Sequence, residues 1–206
     1  MYGVYLFFLD SFTFSGFKSA CIVPIVLYNI AQELAKLHIL SGAAYSKQVE
    51  KIARNGLFHP VEGEQNIFSA IGESGKDYAS LLNTARKAVA HGYKVYMLPN
   101  PTGTRTPDFI FERKGTFRPY DLKTVTGKAS VSNRLEESIG QSNRVLINVT
   151  TDYSPGRLAR SIKHYFEGNA DALEVLVFKG GKNISVSREL SQSKSFYGIF
   201  MKKYSK

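Results

Sequence analysis

Residues 106–126 read T-P-D-F-I-F-E-R-K-G-T-F-R-P-Y-D-L-K-T-V-T, and no other run limits the fold as strongly. Two segments rich in aromatic and β-branched residues flank a polar stop at Arg113-Lys114-Gly115, a pattern that predicts a hairpin. Alternate strand residues point to opposite faces, so Asp121, Lys123 and Val125 share one face and Leu122 and Thr124 the other. Asp108 opens the first strand, with Ile110 and Glu112 on its face. Once the hairpin closes, two carboxylates and one ammonium converge at one end of a sheet. Aspartate is disfavoured inside strands, so Asp121 needs a reason to be there. Hard divalent cations take carboxylate oxygens, and a nearby lysine stabilises developing negative charge or orients a water.

Around this hairpin the chain alternates helical and strand periodicities. Residues 76–90 carry Tyr78, Leu81, Leu82, Ala85 and Val89 on one stripe, an amphipathic helix closed by Gly92. A strand follows over 93–98. After the hairpin come a short helix over 133–142, with Asn133 and Glu136 as a cap pair, and an apolar strand over 144–149. Ser154-Pro155 starts another helix, whose stripe is Leu158, Ile162, Tyr165 and Phe166. Strands over 173–178 and around Ile184 and Val186 complete the set, and residues 194–206 form a basic tail with Phe196, Tyr197, Phe200 and Tyr204 for packing or base contact. The order α-β-β-β-α-β-α-β predicts an α/β fold, a mixed β-sheet flanked by helices.

Residues 1–60 read as a helical N-terminal accessory segment, with Leu27, Ile30, Ala31, Leu34 and Leu37 at helical spacing. Glycines 63, 72 and 75 mark 61–75 as a linker, so 76–206 is expected to be the domain that carries the chemistry. The apolar runs at 1–9 and 21–30 fall short of the ~18–20 residues of a spanning helix, so no stable membrane span is expected. The first run also lacks the positive flank of a secretory signal. Cys21 is the only cysteine, which excludes an internal disulfide and fits a reducing, cytoplasmic site of action.

The quoted segments resemble a known family. Pro107-Asp108 followed by Asp121-Leu122-Lys123 resembles the PD-(D/E)xK nuclease signature. The ordered set H-G-Y-K-V-Y-M-L-P (91–99), P-D-F-I-F, Y-D-L-K-T and Q-S-N-R-V-L-I-N-V (141–149) resembles the CdiA C-terminal tRNA-nuclease type of toxin domain, over residues 76 to 187. The resemblance implies a PD-(D/E)xK nuclease-like core and a Mg²⁺- or Mn²⁺-dependent endonuclease acting on tRNA, with a cognate immunity protein as partner. It implies Asp108, Asp121 and the Leu122 carbonyl as metal ligands and Lys123 as the charge-stabilising group. It further implies a polar residue facing the site, best matched by Gln141, and an acid on the first helix, best matched by Asp77. Asp77 also fits an ordinary helix N-cap, and Glu64 and Glu112 compete for the role of third carboxylate.

Charge favours a nucleic-acid partner. Residues 1–100 carry nine Lys/Arg against seven Asp/Glu, and residues 101–206 carry eighteen against ten, so most of the +10 net charge surrounds the acidic centre. Two other readings stand beside the metal-dependent one. A metal-independent RNase would use His91 or His164 with Lys and Thr groups. A non-enzymatic module of a phage or mobile element would bind nucleic acid without cutting it. The four histidines, His38, His59, His91 and His164, have no zinc spacing.

Overall fold

Lys114 and Gly115 take positive φ angles of 52° and 73°, so the central hairpin closes on a two-residue turn. Glycine reaches this region without strain, and two consecutive positive φ values give the turn whose twist matches that of paired strands. The computed structural model describes residues 29, 32–34, 37, 40, 42–70, 77–99, 106–127 and 131–205. The apolar runs at 1–9 and 21–30, and most of the helical spacing from Leu27 to Leu37, lie outside them.

Among the described residues, eight strands lie side by side in chain order. They are β1 (His59–Pro60), β2 (Ile67–Ser69), β3 (Lys94–Met97), β4 (Phe109–Arg113), β5 (Thr116–Val125), β6 (Arg144–Val149), β7 (Glu174–Lys179) and β8 (Lys182–Ser187). β2–β3, β5–β6 and β6–β7 pair in parallel and the other neighbours antiparallel, which makes the sheet mixed. The helices are α1 (Gly42–Ala53), α2 (Tyr78–Ala90), α3 (Val131–Glu136), α4 (Pro155–Gly168), α5 (Arg188–Gln192) and α6 (Phe196–Ser205).

Strand periodicity separates the two faces. Tyr120 and Leu122 of β5 join Phe109, Phe111, Leu146 and Leu176 in a cluster that α2 covers through Leu81, Leu82, Ala85 and Ala88. The other face carries two clusters. Phe117 at one end of β5 packs with Ile110, Tyr96 and the α1 residues Tyr45, Val49 and Ile52. Val125 at the other end packs with Val145, Ile147, Val175 and Val177 beneath α3, α4 and α6. Between these two apolar ends, β5 places Pro119, Asp121 and Lys123 on the same face. A polar seam therefore runs between α1 and the α3–α4 layer.

Several boundaries differ from the periodicity reading. α3 begins at Val131, so Asn133 lies inside the helix and does not cap it. Pro155 stands at the start of α4, where the Ser154 hydroxyl accepts a hydrogen bond from the Arg157 amide at 3.5 Å. In the tail, Phe196, Phe200 and Tyr204 are buried under α4, which makes them packing residues, while Tyr197 is exposed. The largest difference concerns the N-terminal half. Within the expected linker 61–75, Ile67–Ser69 pairs with β3 in register, Ile67 opposite Val95. α1, expected in an accessory piece, buries Val49 and Ile52 fully on the same sheet. A three-residue strand is too short to show a period, and glycines alone do not separate a linker from turns around a strand.

Candidate functional site

β4 stops at Phe109, whose register partner is Tyr120, so Asp108 stands one step beyond, opposite Asp121. The Asp108 amide donates to the Tyr120 carbonyl at 2.9 Å. Its carboxylate then takes over where the ladder ends, and Oδ2 accepts from the Leu122 amide at 2.6 Å. N–H and C=O of one strand residue point to the same side, so the Leu122 carbonyl is directed to this edge as well. Asp121 is buried, with 2% of its side chain exposed, and Lys123 is nearly so. Lys123 Nζ lies 3.0 Å from Asp121 Oδ2 and donates to Oδ1 at 3.2 Å. Oδ2 faces the ammonium without hydrogen-bond geometry and is a buried oxygen with no bonding partner. The 3.0 Å separation is therefore read as Coulombic contact, with the acceptor capacity of Oδ2 unused.

Two buried carboxylates side by side resist ionising together. Burial first, then the charge of Asp121, push the Asp108 carboxyl from 3.8 up to about 7, against the pull of the Leu122 amide and the Lys123 ammonium. Asp108 therefore holds a proton more readily than an ordinary carboxyl does. A centre of this kind accepts a cation, which relieves the repulsion, or exchanges a proton.

A cleft of about 500 Å³ opens along the seam beside this centre. Pro107, which precedes Asp108, and Pro119, two residues before Asp121, line it with Leu37, Tyr45, Gln141 and Asn169, while the aspartates and Lys123 are not part of its lining. Gln141 thus lines the cleft, with its amide nitrogen donating to the Glu137 carbonyl at 2.8 Å.

Asp108, Asp121, Lys123 and Leu122 come together as the strand pattern requires; Gln141 lines the adjoining cleft, and the remaining candidates do not join them. Asp77 is exposed at the start of α2, on the opposite face, and makes no side-chain cap bond. Glu64 is held by Arg86 at 2.7 Å. Glu112 accepts from the Tyr96 hydroxyl at 3.0 Å, at the far end of β4. Thr124 faces α2, away from the aspartates. Glu174 is buried, but it receives the Tyr120 hydroxyl at 2.9 Å and the Ser185 hydroxyl at 2.6 Å and faces Arg118 at 3.3 Å. No group of three or more His, Cys, Asp or Glu side chains fit to hold a metal ion occurs among the described residues. His91 packs against Phe178 below α2, where burial and Arg113 hold it below the usual imidazole range. His164 is exposed on α4, 3.8 Å from Glu167.

The periodicity reading passed over Tyr165. It counts as one apolar-stripe residue of α4, yet its hydroxyl is buried without a hydrogen-bond partner. Burial pushes its pKa up to about 12; Asn169 comes near enough to oppose this without a well-formed bond, and the Asp121 charge adds to it. No sequence signal separates such a tyrosine from an ordinary core aromatic.

No protein-family model matches the chain, and no curated protein matches it. Among solved structures, a CdiA-CT/CdiI toxin and immunity complex from Burkholderia pseudomallei is similar, at 17% sequence identity and a TM-score of 0.39. The match covers 63% of this chain and 94% of that one. No helix among the described residues is long and apolar enough to cross a membrane.

Proposed function

We propose that this chain is an endonuclease that cleaves phosphodiester bonds at the Asp108–Asp121–Lys123 centre. One observation carries the reading: two facing carboxylates, one bridged to the next strand's backbone and one bridged to a lysine, beside an open cleft. The donor set suits a hard divalent cation such as Mg²⁺ or Mn²⁺, because Asp121 Oδ2 is buried and unbonded and the aspartates repel one another. Asp108, Asp121 and the Leu122 carbonyl would hold it, and it would lower the pKa of an attacking water and neutralise phosphate charge. Lys123 offsets charge on the attacked phosphate, and Gln141 orients the strand in the cleft. The motif resemblance makes tRNA the first substrate to test, and supports a toxin-type domain with an immunity protein as partner.

A second reading has its own support. The described residues hold no cluster of three ligands, and Lys123 already balances Asp121, an arrangement stable without a metal. A metal-independent RNase or a non-cutting nucleic-acid-binding module fits that observation. The test is cleavage of a tRNA pool with Mg²⁺, with EDTA, and by Asp121→Ala. Loss of cleavage in both EDTA and the variant supports the metal-dependent enzyme. Cleavage that survives EDTA and leaves a cyclic phosphate supports the metal-independent one, and binding without cleavage supports the module.

A further inference from the structure

Asp121 Oδ2 and the Tyr165 hydroxyl are both buried side-chain atoms with no hydrogen-bond partner, and the fold brings them to the same layer. Asp121 lies on β5 in register with Val145 of β6, and Val145 in turn with Val175 of β7. Tyr165 of α4 packs in the apolar cluster that holds Val145 and Val175. That cluster also holds Val125, four residues along β5 from Asp121 and so on the same face of the strand. The charges of Asp121 and Arg188 both reach the hydroxyl, and the Asn169 side chain stands beside it. Tyr165 is 5% exposed and Asp121 2%, so bulk water serves neither atom.

Buried polar atoms in folded proteins are almost always bonded, to protein or to an ordered water. These two are complementary, since a carboxylate oxygen only accepts and a phenol donates. The Tyr165 ring is held in the cluster and Asp121 is held by Lys123, so the two atoms meet through a third partner. A buried water makes about three hydrogen bonds, and Asn169 supplies the remaining one. Its Oδ1 accepts from the Asp171 amide at 3.2 Å, which leaves its side-chain N–H groups to donate. Arg188 fixes the loop that carries it, donating to the carbonyls of Phe166 at 2.9 Å, Ala170 at 2.8 Å and Ala172 at 3.0 Å, and to that of Asn169. Asn169 also lines the cleft, where solvent enters.

We infer that Tyr165 is a positioning residue of the catalytic centre: its hydroxyl, with Asn169, holds a water against Asp121 Oδ2, the oxygen that Lys123 leaves unbonded. The water fixes the rotation of the carboxylate and occupies one lone pair of Oδ2, and the other stays directed to a cation. This purpose rests on the nuclease reading, whereas the water itself does not.

The test uses the full chain and Tyr165→Phe, which removes the hydroxyl and keeps the ring. A crystal structure of the wild type is expected to show an ordered water within hydrogen-bond distance of Tyr165 Oη and Asp121 Oδ2, and the variant is expected to lose it. Tyr165→Phe should melt about 2–4 °C lower than wild type. A tyrosine that only packs predicts the reverse, because the variant then sheds an unbonded buried hydroxyl. Calorimetric titration should show Mn²⁺ bound about tenfold more weakly by the variant, and RNA cleavage should show kcat about tenfold lower with KM unchanged. A wild-type structure with no water between the two atoms, a variant that melts higher, or unchanged Mn²⁺ affinity overturns the positioning role. Wild-type-like cleavage by Asp121→Ala would instead overturn the nuclease reading, and the crystal structures and melting temperatures would still decide whether Tyr165 and Asp121 share a water.

Discussion

The Leu122 amide donates to Asp108 Oδ2 at 2.6 Å, so a side chain completes the ladder at the point where its own strand ends. The carboxylate is structurally useful there and electrostatically costly, because Asp121 stands beside it. Its pKa in the fold, about 7, lies above its ordinary 3.8. An acid of this kind binds its proton first in the folded state, so its contribution to stability rises as pH falls from about 7 toward 4 and is least favourable above 7. Asp108→Asn keeps an acceptor for Leu122 and removes the charge. We expect the variant to melt higher than wild type at pH 8, with the difference shrinking toward pH 5, in thermal unfolding followed by circular dichroism.

Lys123 and Asp121 form a buried pair, 3.0 Å apart. Removing one partner strands the other charge, at about 3–5 kcal/mol, whereas removing both leaves little uncompensated. Lys123→Met should therefore destabilise strongly, and Lys123→Met with Asp121→Asn should recover most of the loss. Urea unfolding of the four proteins in a double-mutant cycle checks this. Independent, additive losses would show that the pair is not coupled.

Asp108 holds a proton more readily than an ordinary carboxyl, and a cation that enters must displace it. Calorimetric titration with Mn²⁺ at pH 7, in two buffers of different ionisation enthalpy, should show release of up to one proton per site. Asp108→Asn and Asp121→Asn should each abolish the heat of binding. Equal heats in the two buffers would contradict a proton held on Asp108, and retained binding in both variants would place the ion elsewhere.

α1 tests whether the N-terminal half is an accessory. Ile52 is 1% exposed and packs with Tyr96, Ile110 and Phe117, on the sheet that carries the aspartates. Ile52→Ala should cost about 2–5 kcal/mol in a single cooperative transition. A chain that starts at residue 76 should fail to fold cooperatively, since it loses α1, β1 and β2 together. A fully cooperative 76–206 fragment would support the accessory reading.

The resolution of the candidate site from sequence was uneven. Asp108, Asp121, Leu122 and Lys123 were legible because a period of two and a two-residue turn fix which residues of a hairpin face each other. Asp77 was not, since a helical stripe shows which side of α2 is buried but not which face of the sheet it covers. The orphan hydroxyl of Tyr165 was illegible too, since bonding of a buried polar tip depends on neighbours contributed by other elements.

What the sequence determined by itself was local: the hairpin and its turn, the buried strand at 144–149, the proline-started helix α4 and the excess of positive charge in the second half. These follow from backbone propensity and side-chain alternation over a few residues. Only the tertiary structure decided that 67–69 pairs in parallel with β3, that α1 shares the sheet, and that the aspartates lie in a seam between two helical layers. Those outcomes come from contacts between distant residues, where the loss of chain entropy is balanced by burial that no short window records.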